Sequence, residues 1–210
     1  MRRDDSTDDR LRANDLLLRA APALKRCTAR LRRAESLADG VRHDAVVPYN
    51  PHLRRPMTHD PLHDRAAALS DAIRGVLAEL RAVVPFDSAS VQELRGGKLV
   101  IVGGVGFADL DVIVGESFDV DNADSPNGEV VHRRRAIIVP DTEKYRAFRR
   151  GLHVGAGIRS WLGVPLIEGG ELLGVIALDK AEPNFYGDEH PKLAMPYASV
   201  VARAMKNHAG

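Results

Sequence analysis

The chain has 210 residues, 44% of them apolar and 28% charged, with a formal net charge of +1. This composition excludes a disordered chain and provides for one self-sufficient core plus an extension. Residues 1–60 carry 13 Lys+Arg against 9 Asp+Glu and residues 61–210 carry 17 against 20, a split too shallow and too interspersed for a dedicated nucleic-acid surface.

The N-terminus reads MRRDDSTDDRLR where an exported protein needs an apolar stretch, so the expected location is the cytoplasm. Cys27 is the one cysteine, which leaves no intramolecular disulfide and fits a reducing compartment. Leu17, Leu24 and Leu31 form a short amphipathic stripe in an Ala-, Leu- and Arg-rich segment stopped by Gly40, with Pro22 expected to kink or restart the helix. Residues 1–40 are therefore predicted as a helical extension, either packed on its own domain or serving dimerisation. Residues 41–61 hold Pro48, Pro51, Pro56 and Pro61 and read as a linker. His59 and His63 have the spacing of zinc ligands on one helix face, but Asp60-Pro61 reads as a helix start that leaves His59 outside it, so solvated loop histidines are expected.

From residue 62 the apolar positions Leu62, Ala66, Leu69, Ile73, Leu77, Leu80 and Val84 keep helical spacing up to Pro85. Two strands follow, 88–94 and 99–102, joined by a turn at Arg95-Gly96-Gly97-Lys98. A longer polar region contains Ser125-Pro126-Asn127-Gly128, read as a turn or helix entry, before a short strand at 136–139 that Pro140 ends. Asp141-Thr142 is positioned to cap a short helix through about Arg150, and 151–157 reads as loop. A second hairpin spans 158–167 and 171–178 around Gly169-Gly170, and a last helix runs from Asp188 to about Asn207 with Leu193, Tyr197, Val200, Val201 and Met205 on one face. An antiparallel sheet with segregated helices, an α+β fold, is the economical solution.

No motif for catalysis interrupts this order. Gly103-Gly104-Val105-Gly106 lacks the frame of a phosphate-binding loop, and Asp188-Glu189-His190 has the acids that a helix start favours. No nucleophile elbow, zincin motif or kinase signature is present.

The run SPNGEVVHRRRAIIVPD followed by IRSWLGVPLIEGGELLGVIALDKAEPNFYGDEH and an apolar helix resembles the GAF domain family of small-molecule sensory modules. The likeness covers about 62–208 and rests on ordered features: a strand plus Pro140-Asp141, the Ser160-x-Leu162-x-Val164-Pro165-Leu166 strand, the glycine turn, Gly174, and Phe185 before an acidic helix start. It implies a GAF/PAS-like sheet with its N- and C-terminal helices on one face and a ligand pocket on the other, under the 107–157 region. It also implies a non-enzymatic sensor acting in trans on a signalling partner or through a homodimer, with an unidentified small-molecule ligand. A small enzyme on the same fold and a dimerisation module with a filled pocket are the rival readings.

Cyclic-nucleotide-binding members carry an Asn-Lys…Phe…Asp-Glu signature, from which Asp179-Lys180, Phe185 and Asp188-Glu189 depart. Pigment-binding and sulfoxide-reducing members use cysteines within the domain, and Cys27 lies outside it. Haem-binding members place an axial histidine in a loop like that of His153. If the second sheet face is the pocket floor, its walls are expected to come from Phe107, from Asp141, Tyr145 and Phe148, and from His153, Arg159 and Trp161. Alternation along the strand sends Arg159 and Trp161 to one face and Ser160 and Leu162 to the other. A charge beside an aromatic at Arg159 and Trp161 suits a small anionic or planar ligand, whereas the alternative is an Arg stem lying over an indole at a sheet edge.

Overall fold

The computed structural model describes residues 61–121, 125–148 and 157–209, together with helical residues 18, 21, 22, 24–26, 28 and 29. The elements in chain order are α1 (Pro61–Arg81), β1 (Ser88–Arg95), β2 (Lys98–Val105), α2 (Leu110–Ile113), β3 (Ser117–Asp119), α3 (Pro126–Arg133), β4 (Ile137–Val139), β5 (Ser160–Glu168), β6 (Glu171–Lys180) and α4 (Glu189–Ala209). Six strands form one sheet in the order β3-β2-β1-β6-β5-β4, every neighbouring pair antiparallel. The expected α+β class holds. Among the described residues no helix is long and apolar enough to cross a membrane.

Strand alternation divides the sheet into two differently used faces. Leu162, Val164 and Leu166 of β5, Ile176 and Leu178 of β6, and Ala89 and Val91 of β1 pack under the helix layer. There they meet Ile73, Leu77 and Leu80 of α1 and Leu193, Tyr197, Val201 and Met205 of α4, which share faces because they recur at helical spacing. Leu24 joins the edge of this cluster, and Arg26 pairs with Glu79 of α1 at 3.2 Å, so these described residues of the extension rest on the domain. Cys27, like residues 41–60 of the linker, lies outside the described residues.

The opposite face carries the intervening residues. Trp161, Val175, Ala177 and Leu99 pack with Ile137 and Val139 of β4, Val120, and Val130 of α3. The Ser125 hydroxyl accepts the Gly128 N–H at 3.0 Å and Pro126 takes the first helical position, which is why SPNG starts α3 instead of turning. Gly169 and Gly170 have φ of +59° and +80°, the left-handed geometry that the tight β5–β6 turn needs. Pro165 lies past Gly163, the last β5 residue paired with β4, so its missing N–H disrupts no ladder there.

Two parts of the predicted order are corrected. The polar stretch after β2 contains α2 and β3, both too short for a periodic pattern to reveal. The helix expected from Asp141 does not form over residues 141–148, which make turns. Its first backbone groups are bound elsewhere: Thr142 N–H and hydroxyl donate to the carbonyls of Arg159 and Ile158, and Asp141 Oδ1 accepts the Glu143 N–H. This is the competition by which Asx and Thr side chains divert a backbone from helix.

Candidate functional site

A cavity of about 370 Å³ opens on the face away from the long helices. Its floor comes from three neighbouring strands: Ser90 and Gln92 of β1, Ala177 and Asp179 of β6, and Trp161 of β5. Alternation explains this choice, because Ser90 and Ala177 lie between two neighbours committed to the helix layer, and Gln92, Asp179 and Trp161 each lie beside one, Val91, Leu178 and Leu162. Phe107, Phe118, Phe148 and Ile158 supply apolar wall, and Ser117, Asp119, Asp121, Ser125 and Asn127 close it. Phe107 reaches its place because residue 104 is glycine: a Cβ there would stand 2.9 Å from the Phe107 ring and 2.6 Å from the Ala89 carbonyl oxygen.

Trp161 is 4% exposed and meets Phe148 edge to face at a centroid distance of 6.4 Å. Its ring lies over Gly163, two residues on along the same face. A Cβ at Gly163 would overlap the indole and come within 2.8 Å of Val130 Cγ2. The absence of a side chain at Gly163 therefore sets the position of the indole.

The polar floor is unevenly satisfied. The Ser88 hydroxyl donates to Asp179 Oδ2 at 2.7 Å, while burial pushes the Asp179 carboxyl up to about 7, helped by the nearby charge of Asp87. Asp87 goes the other way, held below the usual carboxylate range by its hydrogen bond from Lys180 at 2.7 Å and by the Ala181 N–H. Gln92 donates from Nε2 to the Ser90 hydroxyl at 3.1 Å, but among the described residues its buried Oε1 has no partner, and neither has the buried Oδ1 of Asn127. Such orphaned acceptors cost on the order of 1–3 kcal/mol each unless something donates to them.

Of the residues expected at the site, Phe107, Phe148 and Trp161 are on the cavity wall. Asp141 and Arg159 are not; they pair with each other at 3.2 Å, and Arg159 also reaches Glu143 at 3.3 Å. The Arg159 guanidinium holds the Asp141 carboxyl below its ordinary range. The ion pair ties the 141–143 turns to the start of β5, so the charge expected to meet an anionic ligand is already matched. The Tyr145 hydroxyl donates to Glu129 at 3.2 Å beside α3. His153, with the haem reading that depends on it, lies outside the described residues, and no described wall residue is a histidine. Among the described residues no group of three His, Cys, Asp or Glu could hold a metal ion.

Sequence reasoning missed Ser90, Gln92 and Asp179. The signal was available in β1, where Ser90 and Gln92 alternate with Ala89 and Val91, two polar residues in a strand without an exposed face. Asp179 stands where cyclic-nucleotide-binding members have Asn, and its partner Lys180 turns away to Asp87 and to the face of Phe185, 5.1 Å from the ring centroid.

An antiparallel sheet with long helices on one face and a cavity on the other defines the architecture. The family model described as GAF domain matches residues 66–206, and the chain belongs to that family. No curated protein matches it. Among solved structures it is similar to the GAF domain of a phosphoenolpyruvate-protein phosphotransferase from Coxiella burnetii, with 19% identity, a TM-score of 0.57, and coverage of 87% of this chain and 94% of that one. It is also similar to the type II free methionine-R-sulfoxide reductase from Thermoplasma acidophilum, with 17% identity, a TM-score of 0.56, and coverage of 66% and 93%.

Proposed function

We propose that the chain is a non-enzymatic sensory domain that binds a small molecule in the 370 Å³ cavity and reports occupancy through the helices, to a signalling partner or across a homodimer. The observation that carries this reading is the unpartnered Oε1 of Gln92, 3% exposed, on the floor of a cavity walled by Trp161 and three phenylalanines. Polar atoms left unpaired in an aromatic cavity of this size are what a ligand site requires and a filled core avoids.

The β5–β6 hairpin supports the reporting step. Trp161, Ala177 and Asp179 face the cavity while Leu162, Ile176 and Leu178 pack beneath the helices, so a shift of the hairpin is felt on both sides. A ligand acts here by favouring one arrangement of that hairpin over another. The reductase reading has less support, because the one cysteine, Cys27, lies outside the 66–206 domain.

Trp161 is the one tryptophan of the chain, which makes its fluorescence a direct report on the cavity. Native mass spectrometry of protein purified from its own host is expected to show a retained small molecule, and adding that molecule to emptied protein is expected to change Trp161 emission. Ligands that bind by calorimetry while leaving the emission unchanged would place the site elsewhere.

Self-association is proposed through the outer faces of the helices, where Leu18 and Met195 are exposed. Sedimentation at micromolar concentration should then show a species about twice the 22.9 kDa chain. A single species at the chain mass would rule the homodimer out.

A further inference from the structure

The chemistry of the cavity wall narrows the class of occupant, an inference that rests on reading the cavity as a ligand site. Asp119, Asp121 and Asp179 stand on the wall, and among its described residues there is no Lys, Arg or His. Of the nearby cations, Lys180 is engaged with Asp87 and Arg159 with Asp141 and Glu143, while Lys98 stands opposite Asp119 in the β2–β3 register. The free polar atoms of Gln92 and Asn127 are carbonyl oxygens, which accept hydrogen bonds and cannot donate them. Asp119 and Asp121 are exposed and Asp179 is buried. The buried carboxyl and the two carbonyls together call for a molecule that brings N–H donors and positive charge, since a buried carboxylate without a counter-charge is costly. Aromatic faces add to this, because ring quadrupoles attract cations and the rings cover flat apolar bodies.

We propose that the cavity takes a small organic cation, its ammonium, amidinium or guanidinium head seated between the Asp179 carboxylate and the Gln92 Oε1, and its apolar body against Trp161 and Phe148. Two independent features converge on it: the excess of carboxylates and the orphaned Gln92 oxygen, which belongs to no carboxylate. An anionic head, the expectation drawn from Arg159, would find no Lys, Arg or His on the described wall and would stand beside the Asp119, Asp121 and Asp179 carboxyls.

The seat also couples binding to protons. The groups near Asp179 are Ser88 of β1, Asp87 just before it, Lys180 next in β6 and Tyr186 from the segment leading into α4, while Asp119 and Asp121 share the cavity wall with it. With Asp179 titrating at about 7, a cation must displace a proton to use it fully at neutral pH. Affinity for a permanent cation therefore rises as pH rises through that value.

The test uses the full chain with benzamidine, benzamide and benzoate, three molecules of nearly one shape that are cationic, neutral and anionic at neutral pH. Binding is followed by calorimetry and Trp161 emission at millimolar concentration. Benzamidine is expected to bind at least about tenfold more tightly than benzamide, the scale of one charged hydrogen bond, and to release protons on binding at neutral pH. In Asp179→Asn the benzamidine-to-benzamide ratio is expected to fall towards one, an effect that a general loosening of the cavity would not produce. If this variant does not fold, the pH dependence of the wild-type ratio decides in its place. Benzamide or benzoate binding as tightly as benzamidine, with Trp161 responding, overturns the cationic head and leaves the cavity reading intact. A benzamidine preference that survives Asp179→Asn, or that does not vary with pH, overturns the seat. Silence from all three probes overturns both readings.

Discussion

Replacing Gly163 by valine is expected to lower the free energy of unfolding by about 3 kcal/mol and to shift Trp161 emission, measured by denaturant titration and by the emission maximum. Gly163 has no positive φ, so valine meets no backbone conflict there. In a strand interior, replacing glycine by a β-branched residue ordinarily favours folding by roughly 0.5–1 kcal/mol, through lost freedom of the unfolded chain and better strand propensity. The sign reverses here because the new side chain overlaps the indole of Trp161 and the Val130 methyl, both buried and both held by neighbours. Overpacking a close-packed core typically costs about 1–3 kcal/mol, and displacing an indole falls at the upper end. Gly163→Ala should give a smaller loss in the same direction. An unchanged or higher unfolding midpoint in Gly163→Val, with native emission, would mean that the indole does not lie over residue 163.

The second large effect concerns Asp179. Its carboxyl ionises near 3.8 in the unfolded chain and at about 7 in the folded one, so between those values the folded state holds more protons. Stability from the protonated form is complete below the lower value and is lost as pH rises through the upper one. The shift corresponds to on the order of 4 kcal/mol as an upper bound. Asparagine keeps an acceptor for the Ser88 hydroxyl and cannot ionise, so Asp179→Asn is expected to be more stable than the wild type at about pH 8 and nearly equal to it at about pH 4. Asp87 and Asp141, whose carboxyls are held low by Lys180 and Arg159, act in the opposite sense and at lower pH, and they are common to both proteins. The difference between the two stability curves therefore isolates Asp179. A difference that does not grow between those pH values would show that the carboxyl is not desolvated on the cavity floor.

Much of the scaffold was legible in the order of residues. Helical spacing located Ile73, Leu77 and Leu80 on α1 and Leu193, Tyr197 and Val201 on α4 as core positions, and all six are buried. Glycine pairs located both hairpin turns, and each has two residues at positive φ, Gly96-Gly97 and Gly169-Gly170. These are local signals, because a periodicity or a turn geometry is decided within a few residues. The failures were of a different kind. Asp141-Thr142 had the residues of a helix start but spent them on Arg159 and Ile158, which return to it from 16 to 18 residues further along.

Local patterning was enough to tell which stretches alternate, which carry a helical stripe, and that the 66–206 region has the ordered features of a GAF domain. What those faces meet was set by long-range packing. The β3-β2-β1-β6-β5-β4 order places β1 against β6, so that Ser88 lies opposite Asp179 and Gln92 opposite Val175, pairings of residues more than eighty positions apart. It also decided the charge of the site, because Arg159 found Asp141 and Lys180 found Asp87, leaving three carboxylates on the cavity wall. The physical reason is that backbone preference is local, whereas the dielectric around a charge and the identity of its partner are set by whatever long-range packing brings beside it.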